Sequence, residues 1–109
     1  MTDRKTLVKE LKTLLDGMFI YGSYKSEPTK IPYGNYGEDE AHYIYADDKV
    51  FLKRRRYIIR VVTTHKDFEL EENVESIFDR LEIPYRKITD QEVLEQNVYV
   101  FEWLVDLLN

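Results

Sequence analysis

Histidine and carboxylate side chains are the groups in this sequence best suited to bind a metal or to perform acid–base catalysis. The histidines are His42 and His65, and acidic residues cluster at 38–40 and 47–48. A metal site or catalytic pair needs such groups at defined spacings, as in an H-E-x-x-H helix or a calcium loop. These residues have no such spacing. Solvated loop charge is the favoured interpretation, and a metal-dependent hydrolase using them is the weakest functional alternative.

Other catalytic patterns are also missing from the sequence. The glycines at 17, 22, 34 and 37 lack the spacing of a phosphate-binding loop, and no serine stands in a nucleophile elbow. Cysteine is absent, which excludes disulfides, thiolate chemistry and cysteine-based zinc sites. We therefore expect no enzymatic activity, no cofactor and no small-molecule substrate.

Composition and charge limit the kinds of molecule that this protein is expected to bind. The chain has 109 residues and a net charge of −5, which indicates one globular domain and argues against a nucleic acid as the main partner. No stretch approaches the roughly 20 apolar residues of a membrane helix, and the N-terminal residues do not resemble a signal peptide. The remaining partner class is another protein.

The basic run Lys53, Arg54, Arg55 and Arg56 is the strongest charge feature. On a strand, Lys53 and Arg55 would face one side and Arg54 and Arg56 the other. One interpretation is a sheet extension or interface that pairs with acidic groups of another copy. The other is a solvated hairpin tip.

The nine tyrosines add a weaker indication of a binding surface. Tyrosine is enriched at protein interfaces, although it is also common in ordinary strands. Tyr33 and Tyr36 lie in a segment rich in proline and glycine. The candidate oligomer or partner interface comprises Lys53, Arg54, Arg55, Arg56, Tyr33 and Tyr36.

Two helices are predicted to position these groups. The first covers about residues 3–16, with one apolar stripe, a cap at Thr2 or Asp3 and an end at Gly17. The second has apolar residues at i, i+4, i+7, i+8 and i+11 from Leu70, with Asp67 as its cap. Both stripes indicate helices that cover a sheet.

Strands are predicted at 18–24, 41–45, about 50–64, 85–88 and along the C-terminal segment. In that last strand, Tyr99, Phe101, Trp103, Val105 and Leu107 alternate with a second set, which gives one fully apolar face. Trp103 is predicted to be a core anchor.

The segment of about 26–40 is predicted to be a flexible Pro/Gly-rich loop with a short edge strand around 31–36. Thr89 and Glu92 have capping-box spacing and suggest a single helical turn. The elements give the order α-β-β-β-α-β-β. They predict one α+β domain over 1–109, with a mostly antiparallel sheet and two helices on one face.

Several short patterns together resemble a known family. They are Ile31-Pro32-Tyr33, Tyr45-Ala46-Asp47, the strand ending at 57–63, the second helix, and Val98-Tyr99-Val100-Phe101. In their order and in chain size they resemble the tail-completion, or tail-terminator, proteins of long-tailed bacteriophages and prophages of Gram-positive bacteria. The resemblance extends over nearly the whole chain.

That resemblance implies a structural protein. Members assemble into a ring, typically a hexamer, that caps the tail tube and joins it to the head connector. The implied location is the tail or neck of the virion after assembly and the host bacterial cytoplasm before it. The basic run would then lie at intersubunit or ring-face contacts. The alternative is a small bacterial adaptor or regulatory module that binds a soluble host protein.

Overall fold

The apolar stripe near the start of the chain forms helix α1, Arg4–Leu14, in a computed structural model that describes residues 2–26, 28–39 and 54–108. The Asp3 carboxylate caps the helix by accepting a hydrogen bond from the Thr6 N–H at 2.9 Å. Gly17 follows the helix with φ +85°, and its N–H donates to the Lys12 carbonyl at 2.7 Å. The predicted helix is therefore confirmed with slightly shorter bounds.

The second predicted helix is α2, Phe68–Arg80. Its cap is Asp67, whose side chain accepts a hydrogen bond from the Leu70 N–H at 3.0 Å. Leu70, Val74 and Phe78 form its buried stripe. These side chains point toward the sheet, as the spacing predicts.

Five strands form one sheet in the order β1-β2-β3-β5-β4. Their bounds are Phe19–Tyr21 for β1, Tyr33–Glu38 for β2, Arg54–Thr63 for β3, Tyr85–Val93 for β4 and Val98–Leu108 for β5. Strands β1 and β2 are parallel, and the other neighbouring pairs are antiparallel. The α+β class and the element order are confirmed, and the sheet is mixed.

Strand β2 corrects the description of the Pro/Gly-rich segment. The sequence predicts a short edge strand near 31–36, but β2 pairs with β1 on one side and with β3 on the other. The three-residue strand β1 occupies the edge instead. The predicted strand at 41–45 and residues 50–53 of the next strand lie outside the described residues.

Strand β4 replaces the predicted helical turn, which is wrong. Thr89 and Glu92 both lie in the ladder with β5, and the Thr89 hydroxyl donates to Glu102 at 2.6 Å. A capping-box spacing indicates a helix only when an apolar helical stripe follows it. Here residues 89–93 pair with β5, and a turn over 94–97 follows.

The main core lies between the helices and one face of the sheet. Strand β3 contributes Tyr57, Ile59 and Val61, while β5 contributes the alternating apolar set predicted from the sequence. Trp103 is fully buried, and its indole N–H donates to the Glu75 carboxylate at 2.8 Å. Its role as a core anchor is confirmed.

The opposite face of the sheet is only partly covered by described residues. A second cluster at one end consists of Tyr33, Val62, Val98 and Val100, with Met18, Tyr24, Ile31 and Val93 packed against it. The rest of this face carries no described helix. We call it the open face, and its residues are Asn35, Arg56, Ile58, Arg60, Arg86, Thr89, Glu102, Leu104 and Asp106.

Candidate functional site

Strand alternation builds the open face from residues that flank the buried core positions. Between Tyr57 and Val61 on β3, Ile58 and Arg60 must point away from the helices because successive side chains face opposite sides. Across the ladder, Arg60 lies opposite Glu102. The open face is therefore a mixed charged and apolar surface on a rigid sheet.

One part of the basic run lies on this face. Arg56 stands opposite Asp106, and the two side chains form an ion pair at 2.8 Å. Arg55 stands opposite Leu107, which faces the helices. The predicted alternation is confirmed for these two arginines, although Arg56 pairs with an acid of its own chain.

The other two members of the run contribute less to the site. The backbone of Arg54 pairs opposite Leu108 at the start of β3. Lys53 lies outside the described residues. The assignment of the run to an interface stays a prediction.

Arg60 is the cation at the centre of the open face. It lies between Asn35 on β2 and Glu102 on β5, and its guanidinium has no hydrogen bond or ion pair to any described residue. The Asn35 amide donates to the Gly22 carbonyl at 2.7 Å, while its buried Oδ1 has no partner in the described part of the chain. The Arg60 guanidinium, a hydrogen-bond donor, and the Asn35 Oδ1, an acceptor, therefore lie on neighbouring strands without a partner among the described residues.

Described residues of this face line several open grooves. One of about 510 Å³ is lined by Arg56, Pro84, Tyr85, Arg86, Leu104 and Asp106. A smaller groove of about 220 Å³ runs beside Arg60 and Ile58. Both open to solvent along the sheet, which suits a polypeptide segment better than an enclosed small molecule.

Tyr33 lies in the second cluster, at the covered end of this face, and Tyr36 lies in the main core on the helix side of the sheet. Each is only 5% exposed. Tyr36 stacks on Phe19 with ring centroids 5.3 Å apart and accepts a hydrogen bond from Arg4 at 3.0 Å. Both side chains are buried in the chain's own core, and their contact with a partner stays a prediction.

Only some of the histidines and acidic residues lie in the described part of the chain. His65 is exposed and its Nδ1 lies 2.9 Å from the Thr64 hydroxyl. Glu38 is exposed at the end of β2, whereas Asp39 is buried. His42, Glu40 and residues 47–48 lie outside the described residues. Within residues 2–26, 28–39 and 54–108, no group of three or more His, Asp or Glu side chains could hold a metal ion.

The densest charge cluster of the described chain lies between α2 and β4. Lys66 contacts Glu71 at 3.2 Å and Asp90 at 2.6 Å, and Lys87 contacts Asp90 at 3.3 Å. The two ammonium groups also lie over the Phe101 ring at 5.2 and 5.9 Å. These charges neutralise one another beside the core, so the cluster ties β4 to α2.

The pKa of Asp90 reflects that cluster. Burial alone raises the pKa of this carboxyl group, but hydrogen bonds from Lys66, Tyr99 and Lys87 outweigh it and lower the pKa to about 2. With so low a pKa, the Asp90 carboxylate stays ionised at neutral pH. It therefore attracts the neighbouring ammonium groups and does not act as a proton donor.

Sequence reasoning missed the open face because strand register decides it. Only the register places Arg60, Glu102 and Asn35 side by side. One signal was present: Arg60 interrupts the apolar run 57–62. A single charge within an otherwise buried strand indicates a side chain that faces away from the core.

Comparisons with known proteins give a fold and no family. No protein-family model and no curated protein matches the sequence. Among solved structures, the chain is similar to one from the "Virion of native gene transfer agent (GTA) particle", with a TM-score of 0.51 and 11% identity. The similarity covers 94% of this chain and 92% of that chain. At this identity it establishes a shared fold over nearly the full length.

A bilayer-spanning helix is not found in the described part of the chain, since neither α1 nor α2 is long and apolar enough.

Proposed function

We propose that this protein is a virion structural protein of the tail-completion type. In this role it assembles into a ring that caps the tail tube and joins it to the head connector. Its partners are further copies of itself and neighbouring proteins of the particle.

The observation that carries the proposal is the fold similarity to a chain of a virion, which extends over nearly all of both chains. It is independent of the short sequence patterns that resemble the tail-completion family. A fold can serve many functions, so the similarity supports a particle protein by analogy. The resemblance supplies the more specific role.

The surface chemistry is consistent with this role. The open face offers Arg60 and the groove along Arg56, Arg86 and Leu104 on a rigid sheet. Charged groups around an apolar strip are typical of the rim and centre of a protein interface. Such a surface can hold a neighbouring protein without any chemical step.

Particle composition and assembly test the proposal. The gene would be deleted from the genome that encodes it, and particles from the parent and the deletion strain would be purified and compared. We expect mass spectrometry to detect the chain in parent particles, and electron microscopy to find separate heads and tails in the deletion strain. Restoring the gene should restore joined particles.

Two results would contradict the proposal. One is that the chain is absent from purified particles. The other is that particles of the deletion strain are complete. Recovery of a soluble host protein with the tagged chain, and of no particle component, would favour the adaptor alternative.

A further inference from the structure

Exposed apolar side chains occur at the two opposite edges of the sheet. Tyr21 on the edge strand β1 is 60% exposed and stands edge-on to Tyr36, with ring centroids 5.1 Å apart. Next to it is a hollow of about 330 Å³ that Arg4 also lines. On the other side, Ile88 of β4 is 42% exposed and Leu94, in the following turn, is 79% exposed. A partner docked at either edge would cover these apolar groups.

The charges of these two sides are opposite. Residues 2–32 contain six Lys or Arg and four Asp or Glu, whereas residues 66–95 contain four Lys or Arg and ten Asp or Glu. We call α1, β1 and residues 22–26 and 28–32 the basic side, and the whole segment 68–97, which contains α2 and β4, the acidic side. The sheet order places β1 and β4 at opposite edges.

Many of these charges have no ion-pair partner in the described structure. On the basic side, the exposed lysines without one are Lys5, Lys9, Lys12 and Lys25. On the acidic side, the exposed carboxylates without one are Glu69, Glu72, Asp79, Glu82, Glu92 and Glu95. Each side thus presents an excess of one sign that the other described residues do not neutralise.

We propose that the occupant of each side is a second copy of this chain, docked head to tail, so that the basic side of one copy packs on the acidic side of the next. Opposite potentials favour this contact, and a two-fold contact through either side would bring like charges together. A contact between two different patches is heterologous, and it closes into a ring when the rotation allows. The inference deepens the proposed function and rests on it for the identity of the ring.

Charge reversal on each side tests the contact. The basic-side variant carries Lys5→Glu, Lys9→Glu and Lys12→Glu, three exposed positions one helical turn apart on one face of α1. The acidic-side variant carries the three changes Glu72→Lys, Glu92→Lys and Glu95→Lys. Analytical ultracentrifugation would measure self-association, and circular dichroism would verify that both variants fold.

We expect each variant alone to self-associate at least about tenfold more weakly than the wild type. An equimolar mixture should recover association, because each variant then meets a partner of opposite charge on both sides. Wild-type association should weaken at about 0.5 M NaCl, where screening is strong. The matched control carries Lys5→Arg, Lys9→Arg and Lys12→Arg, which keeps the charge and should associate like the wild type.

Three results would overturn the inference: a folded basic-side variant that associates like the wild type, a mixture that recovers no association, or a wild type that stays monomeric at all concentrations. None of these decides whether the chain belongs to a virion, which the particle analysis tests separately. Conversely, the chain could assemble head to tail and yet be absent from purified particles. That result would support the proposed contact and contradict the proposed function.

Discussion

Arg56 and Asp106 face each other across β3 and β5, and their side chains form a 2.8 Å ion pair on the open face. Their side chains are 29% and 13% exposed, so the pair is more protected than an ordinary surface pair. Because β3 and β5 are neighbouring strands inside the sheet, this contact helps to fix their register. A cation expected to pair with another copy is thus part of the fold of its own chain.

The first prediction concerns this pair. In a double-mutant cycle with Arg56→Ala and Asp106→Ala, we expect a coupling of about 1 kcal/mol, near the upper end for surface pairs because water is partly excluded. Urea unfolding monitored by circular dichroism would measure it. The exposed pair of Lys30 and Asp16 is the control and should show a much smaller coupling. Equal coupling energies in the two pairs would contradict the argument that partial burial on the sheet strengthens the Arg56–Asp106 ion pair.

The helices and the C-terminal strand could be predicted because they bury one continuous stripe or face. Leu7 and Leu11 of α1 and Trp103 of β5 are buried where periodicity places them. Strand β2 was harder, since Gly34 and Gly37 give no apolar alternation. Its position inside the sheet depends on the pairing of β1 across the intervening residues, which no local pattern encodes.

The second prediction tests the core anchor. Trp103→Ala should lower the free energy of unfolding by about 3–5 kcal/mol, because it leaves a large cavity between α2 and the sheet. Trp103→Phe keeps an aromatic ring but removes the N–H that Glu75 accepts. We therefore expect a smaller loss, about 1–3 kcal/mol.

Urea unfolding followed by far-ultraviolet circular dichroism measures both changes without relying on tryptophan fluorescence. If Trp103→Ala left the free energy of unfolding almost unchanged, β5 would have to present its other face to the helices. A Trp103→Phe loss as large as that of alanine would mean that the hydrogen bond, and not the packing, dominates.

The third prediction concerns pH. The folded-state pKa of Asp90 is about 2, against an ordinary value of 3.8, because hydrogen bonds from Lys66, Tyr99 and Lys87 outweigh the opposing effect of burial. A lowered folded-state pKa contributes stability above the unfolded-state value, and this contribution is lost as the pH falls through the folded-state value. Asp90→Asn should therefore destabilise the protein at neutral pH.

The difference between wild type and Asp90→Asn should shrink between about pH 4 and pH 2, as the wild-type carboxylate takes up its proton. Urea midpoints across this range would measure it. Gln91→Ala, an exposed neighbour without a titrating group, is the control for general effects on β4. A difference that stays constant down to pH 2 would exclude the ionised carboxylate as its cause.

The open face could not be predicted because it consists of the residues that the core pattern leaves over. Alternation identifies what is buried, but it does not say which strand lies beside which. Arg60 comes to lie between Asn35 and Glu102 only through pairings over long sequence separations. The charge excess of the basic and acidic sides is visible in the sequence, yet their placement at opposite edges depends on the same pairings.

The last prediction compares two glycines of β2. A Cβ at Gly34 would lie 2.6 Å from the Arg60 carbonyl oxygen and close to the Phe19 and Leu15 side chains, so the backbone would have to move. A Cβ at Gly37 would meet nothing within 4 Å. Gly34→Ala should therefore cost about 1–3 kcal/mol, the usual range for overpacking. Gly37→Ala should be neutral or stabilise slightly, since alanine lowers the entropy of the unfolded chain. Thermal and urea unfolding of the two variants would compare them directly. If both were neutral, β2 would not approach β3 and the core as closely as this arrangement requires.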